Sequence, residues 1–397
     1  MAVTTNGSYI IGNRYVGGIA GENQGGVTLK NCINNGVAAG YDRYVGGIVG
    51  YNDYQATIYD CASYLSDYDN SIFRMIVDTW NAKGDYAGGI AGYNNGNIII
   101  TKDSEAITVK SVSGIVVGRN YVGGIAGFND VNGELDVHYT LIGGRIYAYG
   151  DCAGGGFGFN ASEKLLTQEL TIKPRSINGR CCVGGCIGAN AVELTSDITM
   201  DQFRADNVLA TISGKAFCGG IIGYQRTYTK ADLPGISADG SIREAVEEMQ
   251  RRTAKRLLPG IEADTNIPQS VKESANSHAL TIETAGNSAV SLKTETNNVP
   301  IQAGMYAGGI VGYCEKNSKL IIRNCKNAGN ISGSPDGDLE GVRLDLYAKS
   351  GEIGKSSMPQ TAENLSLHLV GGIIGVNLEN QVIDHCSNTG SLSLIHI

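Results

Sequence analysis

A nine-residue segment recurs along this chain, and its repetition restricts the fold more than any other feature of the sequence. The first copy reads YVGGIAGEN at residues 15–23, and the second reads YVGGIVGYN at residues 44–52. Most of the nine copies begin about thirty residues apart, a period typical of proteins built from stacked units. The copies begin at Tyr15, Tyr44, Tyr86, Tyr121, Cys152, Cys182, Phe217, Tyr306 and Leu369.

Each copy is a short strand rich in glycine and β-branched residues, followed by a polar turn and a second strand such as Leu320-Ile321-Ile322. The 56 glycines are about twice the usual share, and glycine weakens helices. One unit cannot bury its apolar side chains, whereas units stacked about 4.8 Å apart share one core. The sequence therefore predicts an all-β fold, a right-handed parallel β-helix or solenoid of about nine coils and roughly 40 Å, with a partly helical insertion.

Two side-chain types recur at fixed places and are expected to stack as structural ladders. An asparagine ends the repeated strand in seven copies, and amides stacked in register bond to one another. The asparagines are Asn23, Asn52, Asn94, Asn129, Asn160, Asn190 and Asn377. A cysteine recurs after the strand, at Cys32, Cys61, Cys325 and Cys386.

The stacking predicts the state of the cysteines. We expect Cys32 to lie beside Cys61 in the neighbouring coil, and Cys152 beside Cys182. We expect them to be buried free thiols, because free cysteine is among the most buried residue types. Disulfides are the alternative, since stacked positions about 5 Å apart fall within disulfide range.

A long insertion divides the repeats. The chain is predicted to contain solenoid repeats at residues 1–224, an insertion at 225–303 and further repeats at 304–391. Ser241 and Glu244 form a capping-box signature, and apolar residues at helical spacing follow it. The sequence therefore predicts an amphipathic helix over residues 241–257. Its basic residues are interpreted as a solvated face, and a membrane or partner contact is the alternative.

A shorter insertion lies between Asp67 and Gly84 and holds the only tryptophan. Tyrosine and tryptophan rings combine an apolar body with a polar tip, which suits contact with sugars. The aromatic residues in and near this insertion are therefore the candidate ligand-binding residues. They are Tyr54, Tyr64, Tyr68 and Trp80.

The last six residues, 392–397, read LSLIHI. They resemble the in-frame translation of a transposon end used in sequencing libraries, and we interpret them as a sequencing-adapter artefact. The alternative is an ordinary terminal strand, because apolar and polar residues alternate there.

Charge and motifs exclude several function classes. The net charge is −8 and the basic residues are dispersed, so we expect no nucleic-acid partner. No apolar run is long enough to span a bilayer, so this segment is expected not to insert into a membrane. The five histidines form no His-Glu-x-x-His pair, and phosphate-binding loops are absent. We expect no catalytic residue, metal or cofactor, and we expect that the chain is not an enzyme.

The Val-Gly-Gly-Ile-Val-Gly-Tyr-Asn segment at residues 45–52 and the Asn-Cys-x-Asn-x-Gly companion at residues 31–36 resemble the GLUG-motif repeats. Such repeats occur in bacterial surface proteins and N-terminally in IgA-peptidase-like proteins. The resemblance implies a fragment of a secreted, extracellular or cell-surface repeat protein, an adhesin or structural stalk, whose signal and anchor are missing. Its expected partners are host or microbial surface glycans or proteins.

Two alternatives remain open for the function. One is a polysaccharide-degrading β-helix enzyme, a class that needs clustered carboxylates on one exposed sheet. The other is the non-catalytic repeat region of a larger surface protease. The repeated strands are nearly uncharged, which favours the adhesin or stalk over the enzyme.

Overall fold

Strands alone form the described part of this chain. The computed structural model describes residues 4–53, 56–59, 61–63, 76–79, 85–100, 111–112, 114–138, 141–168, 170–193, 198–201, 203–228, 290–304, 306–314, 320–333, 369–377 and 381–393. Within these ranges there are 41 strands and no helix. Consequently no described segment is a helix long and apolar enough to cross a membrane. Neighbouring strands pair in parallel, so the parallel β-solenoid predicted from the repeats is confirmed.

Each turn of the solenoid contributes strands to three sides. The first sheet has 23 strands. They are Thr4–Gly17, Ile33–Gly46, Ala62–Ser63, Ile76–Thr79, Ala87–Gly88, Ser111–Val112, Ile115–Gly118, Val122–Gly123, Leu141–Ala148, Ala153–Gly154, Thr171–Asn178, Cys181–Gly184, Arg204–Ala205, Ile212–Gly214, Ala216–Gly219, Thr296–Asn297, Ile301–Ala303, Tyr306–Gly308, Lys326–Asn327, Ile331–Gly333, Leu369–Gly371, Ser387–Asn388 and Leu392–Ser393.

The second sheet has nine strands, one from each copy of the repeated segment. They are Ala20–Asn23, Val49–Asn52, Ala91–Asn94, Ala126–Asn129, Phe157–Asn160, Ile187–Glu193, Ile222–Tyr228, Val311–Cys314 and Ile374–Asn377. The third side consists of a five-stranded and a four-stranded sheet. Its strands are Thr28–Lys30, Thr57–Tyr59, Asn97–Ile100, Glu134–His138 and Leu165–Gln168, then Ile198–Asp201, Val290–Lys293, Leu320–Arg323 and Val382–Asp384.

The repeated segment makes the corner between the first and second sheets. Its first residue has a positive φ in seven copies, for example 62° at Tyr44, although a bulky side chain rarely adopts this conformation. At Gly46, which follows two residues later, an added Cβ would lie 1.9 Å from the carbonyl oxygen of Val49. The sharp corner therefore explains why the Gly-Gly pair recurs in these copies.

Apolar side chains that share a place in the repeat fill the core as continuous columns. One column runs along the first sheet through parallel pairings in register. Its members from Val116 onward are at most 2% exposed. Because the strands pair in register, each side chain of this column packs on its counterpart in the next turn. This column consists of Val116, Ile146, Ile177, Ile212, Ile301 and Ile331.

The insertion predicted at residues 225–303 begins later and ends earlier than expected. The second-sheet strand Ile222–Tyr228 continues through residue 228. The strands Val290–Lys293 and Ile301–Ala303 pair in register with the turns on both sides. Residues 290–303 are therefore part of the solenoid, because their apolar residues extend the core although they lack the Gly-Gly signature. The helix predicted at 241–257 lies outside the described residues.

The end of the chain also differs from its predicted boundary at residue 392. Leu392–Ser393 pairs in parallel with Ile331–Gly333, so these two residues continue the first sheet. The remaining residues of that segment, 394–397, lie outside the described part of the chain.

Candidate functional site

Tyr54, Tyr64, Tyr68 and Trp80, the ligand-binding residues predicted from the sequence, lie outside the described residues. The described residues form two kinds of feature that bear on function. One kind consists of side-chain ladders inside the solenoid, and the other consists of columns on its outer surface.

A ladder of buried amides runs behind the second sheet. In each step the Nδ2 of one asparagine donates to the Oδ1 of the asparagine in the next turn, and the ladder ends on the Oε1 of Gln225. The N···O distances are 2.9 Å for Asn23 to Asn52, 2.8 Å for Asn52 to Asn94, 2.7 Å for Asn94 to Asn129, 2.8 Å for Asn129 to Asn160, 2.8 Å for Asn160 to Asn190, and 2.9 Å for Asn190 to Gln225. Cys314 occupies the next place, so Asn377 lies in the same column beyond this thiol.

A second amide ladder, which sequence reasoning missed, lies behind the first sheet. The Nδ2 of Asn297 donates to the Oδ1 of Asn327 at 2.7 Å, and Asn327 donates to Asn388 at 2.6 Å. Each amide also donates to the carbonyl two residues later, at 2.9 to 3.0 Å. The signal was the asparagine of the Asn-x-Gly triplet after the recurring cysteine, which repeats at Asn327 and Asn388.

The recurring cysteines stack without disulfides. The backbone N–H of Cys32 donates to the Sγ of Cys61 at 3.4 Å, so the two residues are neighbours in adjacent turns. Cys325 and Cys386 are also neighbours, because Lys326 pairs with Ser387 in register. None of the ten cysteines is in a disulfide, and nine of them are buried.

Glu295 occupies the cysteine position one turn before Cys325. This follows from the pairing of Thr296 with Lys326 in register. The side chain of Glu295 is fully buried, and its Oε1 accepts a hydrogen bond from the backbone N–H of Lys293 at 3.3 Å. Burial raises the pKa of the Cys325 thiol.

Cys152, Cys181 and Cys182 form the densest group of thiols. The pairing of Ala153 with Val183 places Cys152 beside Cys182, as the repeat predicted. Cys181 donates to the Oδ1 of Asp151 at 3.1 Å. Hydrogen bonds to a neighbouring thiol and burial raise the pKa of both Cys181 and Cys182. These thiols are therefore protonated and poor nucleophiles at neutral pH.

An ion pair closes the corner beside this group. Arg180 donates to both oxygens of Asp151, at 2.9 Å from Nε and 2.7 Å from Nη2. The side chains of Arg180 and Asp151 are only 12% and 3% exposed, so the charges stabilise each other largely shielded from water. The described residues contain no group of three or more His, Cys, Asp or Glu side chains able to hold a metal ion. We interpret the thiols and the ion pair as structural, because the thiols are buried and Cys181 and Arg180 both bond to Asp151 at the corner.

Two aromatic columns pack beside the corners. Rings of Tyr15, Tyr44, Tyr86 and Tyr121 stack with centroids 5.1 to 5.2 Å apart, as expected for the first residue of each copy. A second column, which the sequence reasoning missed, meets the first edge to face. Its rings stack at 4.8 to 5.3 Å and belong to Tyr51, Tyr93, Phe128 and Phe159. The signal was an aromatic residue directly before the ladder asparagine in these copies.

One carboxylate lies against the second aromatic column. The hydroxyl of Tyr93 donates to the Oδ2 of Asp130 at 2.6 Å, and the N–H of Val131 donates to its Oδ1 at 2.7 Å. Burial raises the pKa of Asp130 even though both hydrogen bonds favour its charged form. Asp130 is therefore a structural acid that folding makes harder to ionise.

No protein-family model matches the chain, and no curated protein or solved structure is significantly similar to it. The interior of the described turns is filled by ladders and apolar columns, so the outward side chains are the surface on which a ligand can be contacted.

The outer surface of the first sheet has an unusual charge distribution. Its strands from Leu141–Ala148 through Ile331–Gly333 contain five Lys or Arg residues and no Asp or Glu, although the whole chain has a net charge of −8. All five basic residues are exposed. They are Arg145, Lys173, Arg175, Arg204 and Lys326.

Two tyrosines and a polar column accompany these cations. Tyr147 and Tyr149 are 40% and 55% exposed, and their rings meet edge to face with centroids 4.7 Å apart. Tyr147 also begins an outward column that continues in register along later turns of the first sheet. The column contains Tyr147, Asn178, Ser213, Gln302, Ser332 and Ser393. We name this column, both tyrosines and the five cations the basic platform.

Proposed function

We propose that this chain is part of a secreted bacterial cell-surface repeat protein whose solenoid acts as an adhesin or structural stalk. The observation that carries the proposal is the continuous packing of equivalent side chains from turn to turn. Units that pair with both neighbours form a stiff, extended body, and this property suits a structure that projects from a surface. The resemblance of the repeated segment to GLUG-motif repeats supports the extracellular location.

The partners that we propose are host or microbial surface glycans or proteins. In a solenoid, loops and outward side chains vary without disturbing the core, so they are suited to recognition. Exposed tyrosines such as Tyr147 and Tyr149 support contact with sugars, because each offers an apolar ring and a polar hydroxyl.

A glycan array and a polysaccharide-degradation assay on the same purified chain test the proposal. Binding without cleavage supports an adhesin. Turnover that disappears when one exposed Asp or Glu is replaced would identify a polysaccharide-degrading enzyme instead and overturn the proposal. If neither binding nor turnover occurs, the adhesin role fails, and the chain is left with the stalk role alone.

A further inference from the structure

We propose that the basic platform binds a linear anionic polysaccharide, one carrying carboxylate or sulfate groups, along the axis of the solenoid. This inference rests on the proposed adhesin function and names the class of its ligand. Three features of the platform carry it: the sign of its charge, its exposed rings and the row of polar groups beside them.

The charge of the platform selects an anionic partner. Lys173 and Arg175 lie two residues apart on one strand, and Arg145 lies on the neighbouring strand of the previous turn. Arg204 contacts Asp206 at 3.5 Å, and this carboxylate lies outside the strands of the first sheet. A local excess of positive charge on a chain of net charge −8 attracts polyanions.

The dimensions of the platform suit a chain-like ligand. The polar column from Tyr147 to Ser393 covers six successive turns in register, which is about 24 Å at roughly 4.8 Å per step. Arg204 and Lys326 lie on these same turns in a parallel column through Thr296. A polymer lying along the axis therefore meets cations on one side and amides or hydroxyls on the other.

The polar column favours a polysaccharide over a nucleic acid. Asn178, Ser213, Gln302 and Ser332 offer small hydrogen-bonding groups, which match a polymer bearing a hydroxyl or acid group on every unit. Ser213 donates to Asn178 at 2.5 Å, so two neighbouring members of the column are already hydrogen-bonded to each other. Proteins that bind single-stranded nucleic acid stack successive bases on a series of aromatic rings. Tyr147 and Tyr149 are the only aromatic residues of the basic platform, which is defined within the described residues.

A charge-matched pair of triple variants tests the inference. The test variant combines R145Q, K173Q and R175Q, and the control combines K30Q, K164Q and R323Q, which are exposed cations on the third side. Both lose three positive charges, so a difference between them reports the position of the charge. All six side chains are exposed, so both variants are expected to retain the melting temperature of the parent, which is checked first.

Binding is measured on immobilised polygalacturonate, a sulfated glycosaminoglycan, neutral dextran and a thymidine oligonucleotide. We expect the parent to prefer the two anionic polysaccharides, with affinity that falls as salt is raised from 0.01 to 1 M and the Debye length shortens from about 30 to about 3 Å. Each exposed ion pair contributes a factor of up to about five, so the test variant should bind up to about 100-fold more weakly. The control variant should change less than about threefold.

Several outcomes would overturn the inference. Equal weakening of both triple variants would show that net charge alone causes the attraction. Equal binding to dextran and to the anionic polysaccharides would reject the ligand class while leaving the adhesin proposal in place. Preference for the oligonucleotide would reject both the anionic-polysaccharide ligand and the adhesin proposal. Failure to bind any polysaccharide here or any glycan on the array would remove the adhesin role itself.

Discussion

Replacing Asn129 with alanine breaks the buried amide ladder near its middle. The side chain of Asn129 is fully buried, accepts from Asn94 at 2.7 Å and donates to Asn160 at 2.8 Å. The variant N129A removes the ladder partner of one buried donor, the Nδ2 of Asn94, and of one buried acceptor, the Oδ1 of Asn160. Each costs about 1–3 kcal/mol when buried without a partner.

The surroundings compensate for part of this loss. The Nδ2 of Asn94 also reaches the carbonyl of Glu134 at 3.5 Å, and the Oδ1 of Asn160 accepts from the N–H of Ser162 at 3.4 Å. These bonds are long and therefore weak. We expect the free energy of opening the turns around residue 129 to fall by about 3 kcal/mol, which is roughly a 100-fold increase in the opening constant.

Hydrogen exchange followed by mass spectrometry measures this effect locally. Each turn of a solenoid contacts only its neighbours, so faster exchange should be concentrated in Ala91–Asn94, Ala126–Asn129 and Phe157–Asn160. The matched control is N132A, because Asn132 is exposed and donates to Asn95 at 3.2 Å near the same turn. The control should change the opening free energy by less than about 0.5 kcal/mol. Equal exchange in both variants would refute the stabilising role of the ladder.

Three further perturbations test other parts of the described structure. G88A places a Cβ 1.9 Å from the carbonyl oxygen of Ala91, so we expect the melting temperature to fall by more than about 10 °C or soluble protein to be lost. R180Q leaves the buried carboxylate of Asp151 without its ion-pair partner, and chemical denaturation should show a loss of about 3 kcal/mol. Because the pKa of Asp130 is raised in the folded chain, the folded chain binds more protons than the unfolded chain. The contribution of Asp130 to the free energy of unfolding is therefore fully present below about pH 4. It is lost as the pH rises through the raised pKa of the folded chain. D130N should remove that part of the pH dependence in unfolding curves measured from pH 3 to pH 8, and unchanged curves would contradict the assignment.

The repeat predicted the stacking of this chain because stacking is periodic in sequence as well as in space. Tyr44 and Tyr86 begin successive copies, and their rings stack at 5.2 Å. The same periodicity placed Cys32 beside Cys61, since equal offsets within copies become equal positions within turns. For residues of this kind, the repeated position and the type of side chain together determine the packing.

Residues 290–303 were assigned to an insertion because they lack the repeated segment. In the structure, Val290 and Leu292 continue the core of the third side, and Ile301 continues that of the first sheet. A turn of the solenoid therefore requires apolar residues at the correct spacing more than it requires the Gly-Gly signature. That signature is confined to the corner between the first and second sheets, so it marks only this corner and none of the other parts of a turn.

The basic platform was not predicted, because its residues do not repeat. Arg145 pairs with Ile115 in the previous turn and with Ser176 in the next, so its column contains no recurring charge. Cations that are dispersed in the sequence become neighbours only after the turns stack. The pairing register, which depends on the length of each intervening loop, is what brings them together.

Inward and outward positions of the same strands are subject to different physical constraints. An inward residue such as Ile146 contacts its equivalents at Val116 and Ile177, so a change there disturbs the turns on both sides. An outward residue such as Tyr147 lies between Val117 and Asn178, and these three side chains share neither size nor polarity. Recognition in a solenoid of this kind therefore depends on which outward side chains the register brings together, whereas the number of turns determines only its length. Adding or removing a whole turn within the basic platform should alter ligand binding. The same change elsewhere should alter only the length of the solenoid.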